Sequence, residues 1–549
     1  MLRLRLASVV VRGFIGLALA MSGCGDRGSV TFNLKAPANP LFNPVAHPEL
    51  VSEYDLRTAN GTVIGIASAV QGSAQSGNGL LPLGALMPPG MPEDVYVTAL
   101  SGGNLIGMAR IRDVVIKAGS RAIYDAELRK PLVFVGSTMP PEATGGMTPG
   151  SVAPVKILDP IESRDLARTA MSAPSVAGGM TAGASTWDGR FLVVAQGPML
   201  TAFDNGLGHN VAGSFTLPFA PARVVVAPRD LAIVALDPGN GTNGSLAIIS
   251  DVASFVGNPG GAAPKIVPMT RAVARTATFS PDGAKLYVLT GGPNSDPCSP
   301  GATTTPNAIE VFTLDGNLTG MFPLAGFASD LAVDPQSGLL VIADVAGKQI
   351  STMDPTTGAT TKLLGNLTCP SAVRVVNGTV FAVTSDRDPM KPDSFVLQRV
   401  PFKGGAAAAT SFGGPNYNIP IDSMPSGNGD IGMALLPVRP VSIEAYELAI
   451  TPDGNRAEFA TRAVYNEAGT TFVFSGENCT ANFNIVEYGL FAVDVRTGNA
   501  SYEMHAQLVV KGSSACVVCK LPSPFPDQQV GCMSTPGDQP VGLAASFGQ

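Results

Sequence analysis

The residues able to do chemistry in this chain are few. Three histidines, His47, His209 and His505, are scattered: the first in the N-terminal region, the second after a strand-ending turn, the third inside an apolar strand pattern. Neither a Ser-His-Asp arrangement nor a multi-histidine metal set follows from that spacing. Cys516-x-x-Cys519 with Cys532 nearby offers thiolates for zinc or an iron–sulfur cluster, but a second CxxC is missing. Lys520 stands where a c-type haem attachment would need His. With Cys24 set aside, Cys298, Cys369, Cys479, Cys516, Cys519 and Cys532 form an even set suited to disulfides, the alternative to metal. Carboxylates supply the remaining candidate. Asp386, Arg387, Asp388 and Asp393 crowd one loop of a chain that is only 14% charged. Such a loop reads as a ligand site whose cofactor would be calcium, or else as a solvated loop.

Composition bounds the elements that must hold these groups. The chain has 549 residues, 63 Gly, 46 Pro and a net charge of -7. Abundant turn formers with few charges point to a turn-rich β protein, and the lack of basic runs argues against nucleic acid as a partner.

The first 24 residues read as an export signal. Arg3, Arg5 and Arg12 lead, Gly13 to Ala20 form a short apolar run, and Met21-Ser22-Gly23-Cys24 comes next. That ending resembles the lipobox of bacterial lipoproteins, whose Cys is acylated and becomes the mature N-terminus. The resemblance implies lipidation of Cys24 and a membrane partner reached through that lipid. Met21 departs from the usual Leu, and cleavage after Ala18-Leu19-Ala20 is the rival. Gly25 comes after the Cys, so the Asp that retains some lipoproteins at the inner membrane is absent there, although Asp26 is next. The expected address is the outer membrane, facing periplasm or surface.

Residues 25–130 predict a small β-sandwich, immunoglobulin-like or transthyretin-like. Its strands are expected at Val30 to Leu34, Glu53 to Arg57, Val63 to Ala67, Val95 to Leu100, Leu105 to Ile111, Val114 to Ile116 and Ala122 to Leu128. The region lacks an aromatic platform, so a spacer is favoured over a carbohydrate-binding module.

From 131 to 521 one pattern recurs, clearest at Ser280-Pro281-Asp282-Gly283 between two apolar runs. Pro presets φ, Asp bonds nearby backbone and Gly takes positive φ, which is hairpin chemistry. Copies surround Asp188-Gly189, Arg229-Asp230, Gln336-Ser337-Gly338, Asn377-Gly378 and Asp453-Gly454, at steps of about 42, 52, 54, 41 and 76 residues. A later apolar run in each unit ends at Asp159, Asp204, Asp251, Asp315, Asp354 or Asp494; the unit with Leu397 to Phe402 lacks this ending. Seven units predict a seven-bladed β-propeller, with 522–549 as a C-terminal tail. The FSPDGAKLYVLT and ITPDGNRAEFAT strings resemble the YVTN/lactonase-like and NHL-like seven-bladed propellers of bacteria. That resemblance implies the fold and two activities found among relatives, hydrolysis of small molecules such as lactones and non-enzymatic binding; no catalytic motif of the family can be matched residue by residue.

Strand alternation puts the second connection of each blade, and the crossing to the next, on one face. That face receives the long segments 138–154, 237–244, 291–307, 385–393, 403–440 and 462–487. Its cysteines are expected to pair Cys298 with Cys369, Cys479 with a tail cysteine, and the remaining two together. The resulting expectation is an envelope-anchored, non-catalytic binding or scaffold lipoprotein with a protein or glycan partner. The alternative is a lactonase-like hydrolase with a metal–carboxylate site at the channel mouth.

Overall fold

The hairpin turns that mark the sequence form the local structure their residues dictate. In the turn of residues 280–285, the Ser280 hydroxyl donates to Asp282 Oδ1 at 2.5 Å, and the Ala284 amide donates to the same oxygen at 3.0 Å. The Gly283 amide closes the turn on the Ser280 carbonyl at 2.8 Å, with Gly283 at φ 71. A side chain there would sit in the left-handed region, and its Cβ would meet Leu231 Cδ1 at 2.9 Å. Thr186 with Asp188, and Thr451 with Asp453, repeat the hydroxyl-to-carboxylate bond at 2.8 and 2.6 Å.

These turns sit in a computed structural model that describes residues 28–38, 51–59, 61–68, 82–87, 90, 92–138, 152–154, 156–159, 164–165, 175–177, 180, 182–207, 210–237, 239, 243–257, 263–271, 273–291, 306–386, 394–416, 442–466, 470–474, 477–481, 484–510, 515–519, 528–533 and 539–545. The chain divides into two compact units, Met1–Lys130 and Pro131–Gln549.

The first unit is a sandwich of seven described strands. One sheet sets Gly28–Lys35 between Pro82–Met87, antiparallel, and Arg121–Glu127, parallel. The other runs Val63–Ser68, Glu53–Thr58, Glu93–Ser101, Asn104–Val114. Alternation decides the burial: Val30, Phe32 and Leu34 from one sheet share a core with Val95, Val97 and Ala99 from the other. Burying each larger member of this set contributes about 1.5–3 kcal/mol. Two expectations need correction here. Pro82–Met87 forms a strand although Pro82 and Gly84 hide it from propensity, and Val114 ends the long strand instead of beginning a separate one.

The second unit is a seven-bladed propeller. Six four-stranded antiparallel sheets succeed one another in chain order, as blades 2 to 7: 182–216, 223–268, 273–323, 328–365, 372–416 and 442–510. Blade 1 is assembled from both ends of the unit, with Gln539–Ala545 innermost beside Val133–Thr138, then Lys156–Asp159 and Arg164–Asp165. The segment expected as a tail therefore closes the ring. The seven innermost strands touch in the cycle Gln539–Ala545, Ala182–Ser185, Arg223–Val226, Val273–Phe279, Ala328–Val333, Ala372–Val376, Ser442–Ile450 and back to the first. Middle strands such as Phe191–Gln196 and Ala232–Leu236 are buried along their whole length because neighbouring blades cover both faces. Outer strands such as Leu318–Pro323 are partly wet.

The Asp endings make the outer turns. Asp354 accepts the Thr356 amide at 2.7 Å and the Thr357 hydroxyl at 3.0 Å, and the Gly358 amide returns to the Asp354 carbonyl at 2.8 Å. Asp494 does the same with the amides of Arg496 and Thr497. Blade 6, which lacks the Asp, uses a 3-10 turn at Gly405–Ala408 before its outer strand Thr410–Asn416, inside a stretch expected as loop. Residues 462–487 also depart from expectation. The flanking strands extend as Arg456–Asn466 and Asn484–Asp494, and the hairpin Thr470–Phe474, Glu477–Ala481 lies between them. That hairpin joins Ala515–Cys519 and Gln528–Met533 in an additional four-stranded sheet.

Candidate functional site at the propeller axis

The innermost strands bring four charged residues together. Arg223 lies on blade 3, Asp330 on blade 5, Arg374 on blade 6 and Glu447 on blade 7. Arg374 Nη1 donates to Asp330 Oδ2 at 2.8 Å, and its Nη2 lies 3.7 Å from Glu447 Oε2. Glu447 Oε1 is also paired with Arg223 Nη1. In a ring of seven, blades 3 and 7 are separated by blades 1 and 2 on one side and by blades 4 to 6 on the other. The Arg223–Glu447 pair therefore bridges the axial channel.

Local backbone explains how the carboxylates reach the axis. In blades 5 and 7 the innermost strand carries a bulge, between Ala328 and Asp330 and between Ala445 and Glu447. An extra residue in one strand bends it and re-aims the side chains beyond the bend. Asp330 is further fixed by the Val373 amide at 2.9 Å on Oδ2 and the Leu331 amide at 2.9 Å on Oδ1. Both carboxylate residues are only 6% exposed, and buried charges of this kind persist when paired and hydrogen-bonded. Arg223, opposite Leu236 at the start of its strand, keeps 28% of its side chain exposed, so the network meets solvent on the side of the long connections.

A second polar group anchors one of those connections. Glu310, fully buried, accepts the Thr270 hydroxyl at 2.6 Å, the Thr270 amide at 3.3 Å and the Thr290 hydroxyl at 3.3 Å. Asn307 donates from Nδ2 to the Thr290 carbonyl at 3.1 Å and accepts the Ala328 amide at 2.6 Å, tying blade 4 to the entry of blade 5. Arg275, at the bulge of blade 4, lies 4.5 Å over the Phe327 ring.

Of the residues expected to form a site, Asp386 ends the strand Thr379–Asp386 opposite Ser394, and Arg387, Asp388 and Asp393 lie outside the described residues. Cys24, Cys298, His47 and His209 also lie outside them. Cys369 is disulfide-bonded and sits at φ 42 in the crossing to blade 6, where the Ser329 hydroxyl donates to the neighbouring Pro370 carbonyl at 2.7 Å. Cys479, Cys516, Cys519 and Cys532 fall on the additional sheet, and His505 on the outer strand of blade 7 opposite Gly489. Trp187 is 8% exposed in its turn, and its amide donates to Asp230 Oδ1 of the next blade at 2.5 Å. Among the described residues no three of His, Cys, Asp or Glu gather as metal ligands.

The axial quartet was not anticipated. Its signal was present as isolated charges inside apolar strand patterns of a charge-poor chain, as in Phe327-Ala328-Ser329-Asp330 and Ala445-Tyr446-Glu447-Leu448.

No family model matches the sequence, and no curated protein matches it. Among solved structures, the chain is similar to Kuenenia stuttgartiensis Hydrazine Synthase at 13% identity, with a TM-score of 0.35 over 61% of this chain and 96% of that one.

Proposed function

We propose that this chain is an exported, non-catalytic binding or scaffold lipoprotein of a bacterial envelope, held at the membrane by a lipid on Cys24. Its recognition surface is the propeller face carrying the long connections, and its partner is a protein or a glycan. The pairing of both axial carboxylates with guanidinium groups carries this reading. A hydrolase of the YVTN/lactonase-like kind would use carboxylates at the channel mouth to hold a metal or to move a proton. Asp330 and Glu447 are instead held by Arg374 and Arg223, and a fixed ion pair across the axis favours shape over turnover.

The test is an activity screen. Full-length chain in mild detergent is offered aliphatic and aromatic lactones, with calcium, zinc or a chelator present. The proposal expects hydrolysis at the uncatalysed rate and an unchanged melting temperature on chelation. Metal-dependent turnover abolished in E447Q would replace the binding reading with the hydrolase.

A further inference from the structure

Four of the seven cysteines lie on the additional sheet, and its register sorts them into two facing pairs. Cys479 stands opposite Cys519 across Glu477–Ala481 and Ala515–Cys519. Cys516 stands opposite Cys532 across Ala515–Cys519 and Gln528–Met533. Directly opposed residues of antiparallel strands have Cα atoms about 4.5–5.5 Å apart, inside the span of about 4.4–6.8 Å that a disulfide bridges.

Alternation then separates the two pairs. Cys516 and Cys519 are three positions apart on one strand and so belong to opposite faces of the sheet. The register shift beside them falls on the other strand, where Gly531 and Gln529 face the consecutive residues Val517 and Val518, so alternation along Ala515–Cys519 is kept. A CxxC that joined its own two thiols, or one centre gathering all four, would need these residues on the same face.

We infer that Cys479–Cys519 and Cys516–Cys532 are two cross-strand disulfides that latch the propeller ring shut. The hairpin bearing Cys479 is built into blade 7, whereas the strands bearing the other three cysteines are, among the described residues, the last before Gln539–Ala545, the strand that completes blade 1. The two bonds therefore fasten the segment leading to the closing strand. In each, two S–H bonds give way to one S–S bond. Two protons and two electrons pass to a protein or small-molecule disulfide, which becomes two thiols. The inference rests on the proposed export to an oxidising compartment.

Peptide mapping under non-reducing conditions tests it, on full-length chain from envelopes and on the same chain reduced while folded and then reoxidised with glutathione. Both samples are expected to yield the peptides Cys479–Cys519 and Cys516–Cys532. Reduction is expected to speed amide exchange in residues 539–545 by about tenfold or more, as a freed closing strand would. Free thiols in the envelope sample with both pairs formed on reoxidation would overturn the export reading and support the register inference. A Cys516–Cys519 peptide, any other pairing among the four after reoxidation, or one zinc held by four reduced thiols would overturn the inference itself.

Discussion

Glu447 is the residue on which the axis depends. It is nearly buried, it is shared by Arg223 and Arg374, and its removal takes away the carboxylate that faces Arg223 across the channel, while Arg374 keeps Asp330. Breaking a buried pair from one side costs about 3–5 kcal/mol, and the partial exposure of both arginines lowers the expected loss for Glu447→Ala to about 2–3 kcal/mol. Denaturant unfolding of E447A, R223A and the double variant should give a coupling energy of about 1–3 kcal/mol; additive effects would deny that the pair spans the channel. At the hairpin turns, Asp282 has its pKa lowered, first by the Ser280 hydroxyl bond and then by the Ala284 amide. A carboxyl more acidic in the folded state than in the unfolded one stabilises the fold above the unfolded-state pKa, about 4. That contribution disappears as pH falls through the lower folded-state value. The melting temperature should therefore fall more steeply below about pH 4 in the parent than in D282N, measured by calorimetry.

Single elements differed in how far they could be read from residue order alone. Hairpins were legible because Asp-Gly turns fix φ locally and the apolar runs beside them are long. Blade 6 was harder, since a 3-10 turn replaces the Asp ending, and Pro82–Met87 was invisible because its pairing with Gly28–Lys35, not its composition, makes it a strand. Gln539–Ala545 is the strongest case: a short run with Gly and Pro carries no strand signature, and only its neighbour in blade 1 from the other end of the unit, Val133–Thr138, assigns it. The axial site was illegible for a related reason, because Arg223 and Glu447 are 224 positions apart in sequence and meet only when the ring closes. Removing residues 539–549 should leave the inner edge of blade 1 unpaired, and the shortened chain should elute as aggregate instead of monomer in size-exclusion chromatography.

At the scale of the whole molecule, the proposed function makes one claim: a propeller held at a membrane by the proposed N-terminal lipid recognises through one face. The lipid half of the claim predicts that Cys24→Ser moves the chain from the membrane pellet to the soluble fraction of lysed cells, while the parent stays in the pellet. The recognition half is tested most directly within a single blade. Lys348 is exposed between the second and third strands of blade 5, on the face of the long connections, and Thr357 is exposed in the outer turn of the same blade, on the opposite face. A photo-crosslinking amino acid placed at one position or the other, in intact cells, reports which face meets a partner. The account predicts a discrete adduct from position 348 and none from position 357. An adduct from 357 alone, or from neither position, would contradict it.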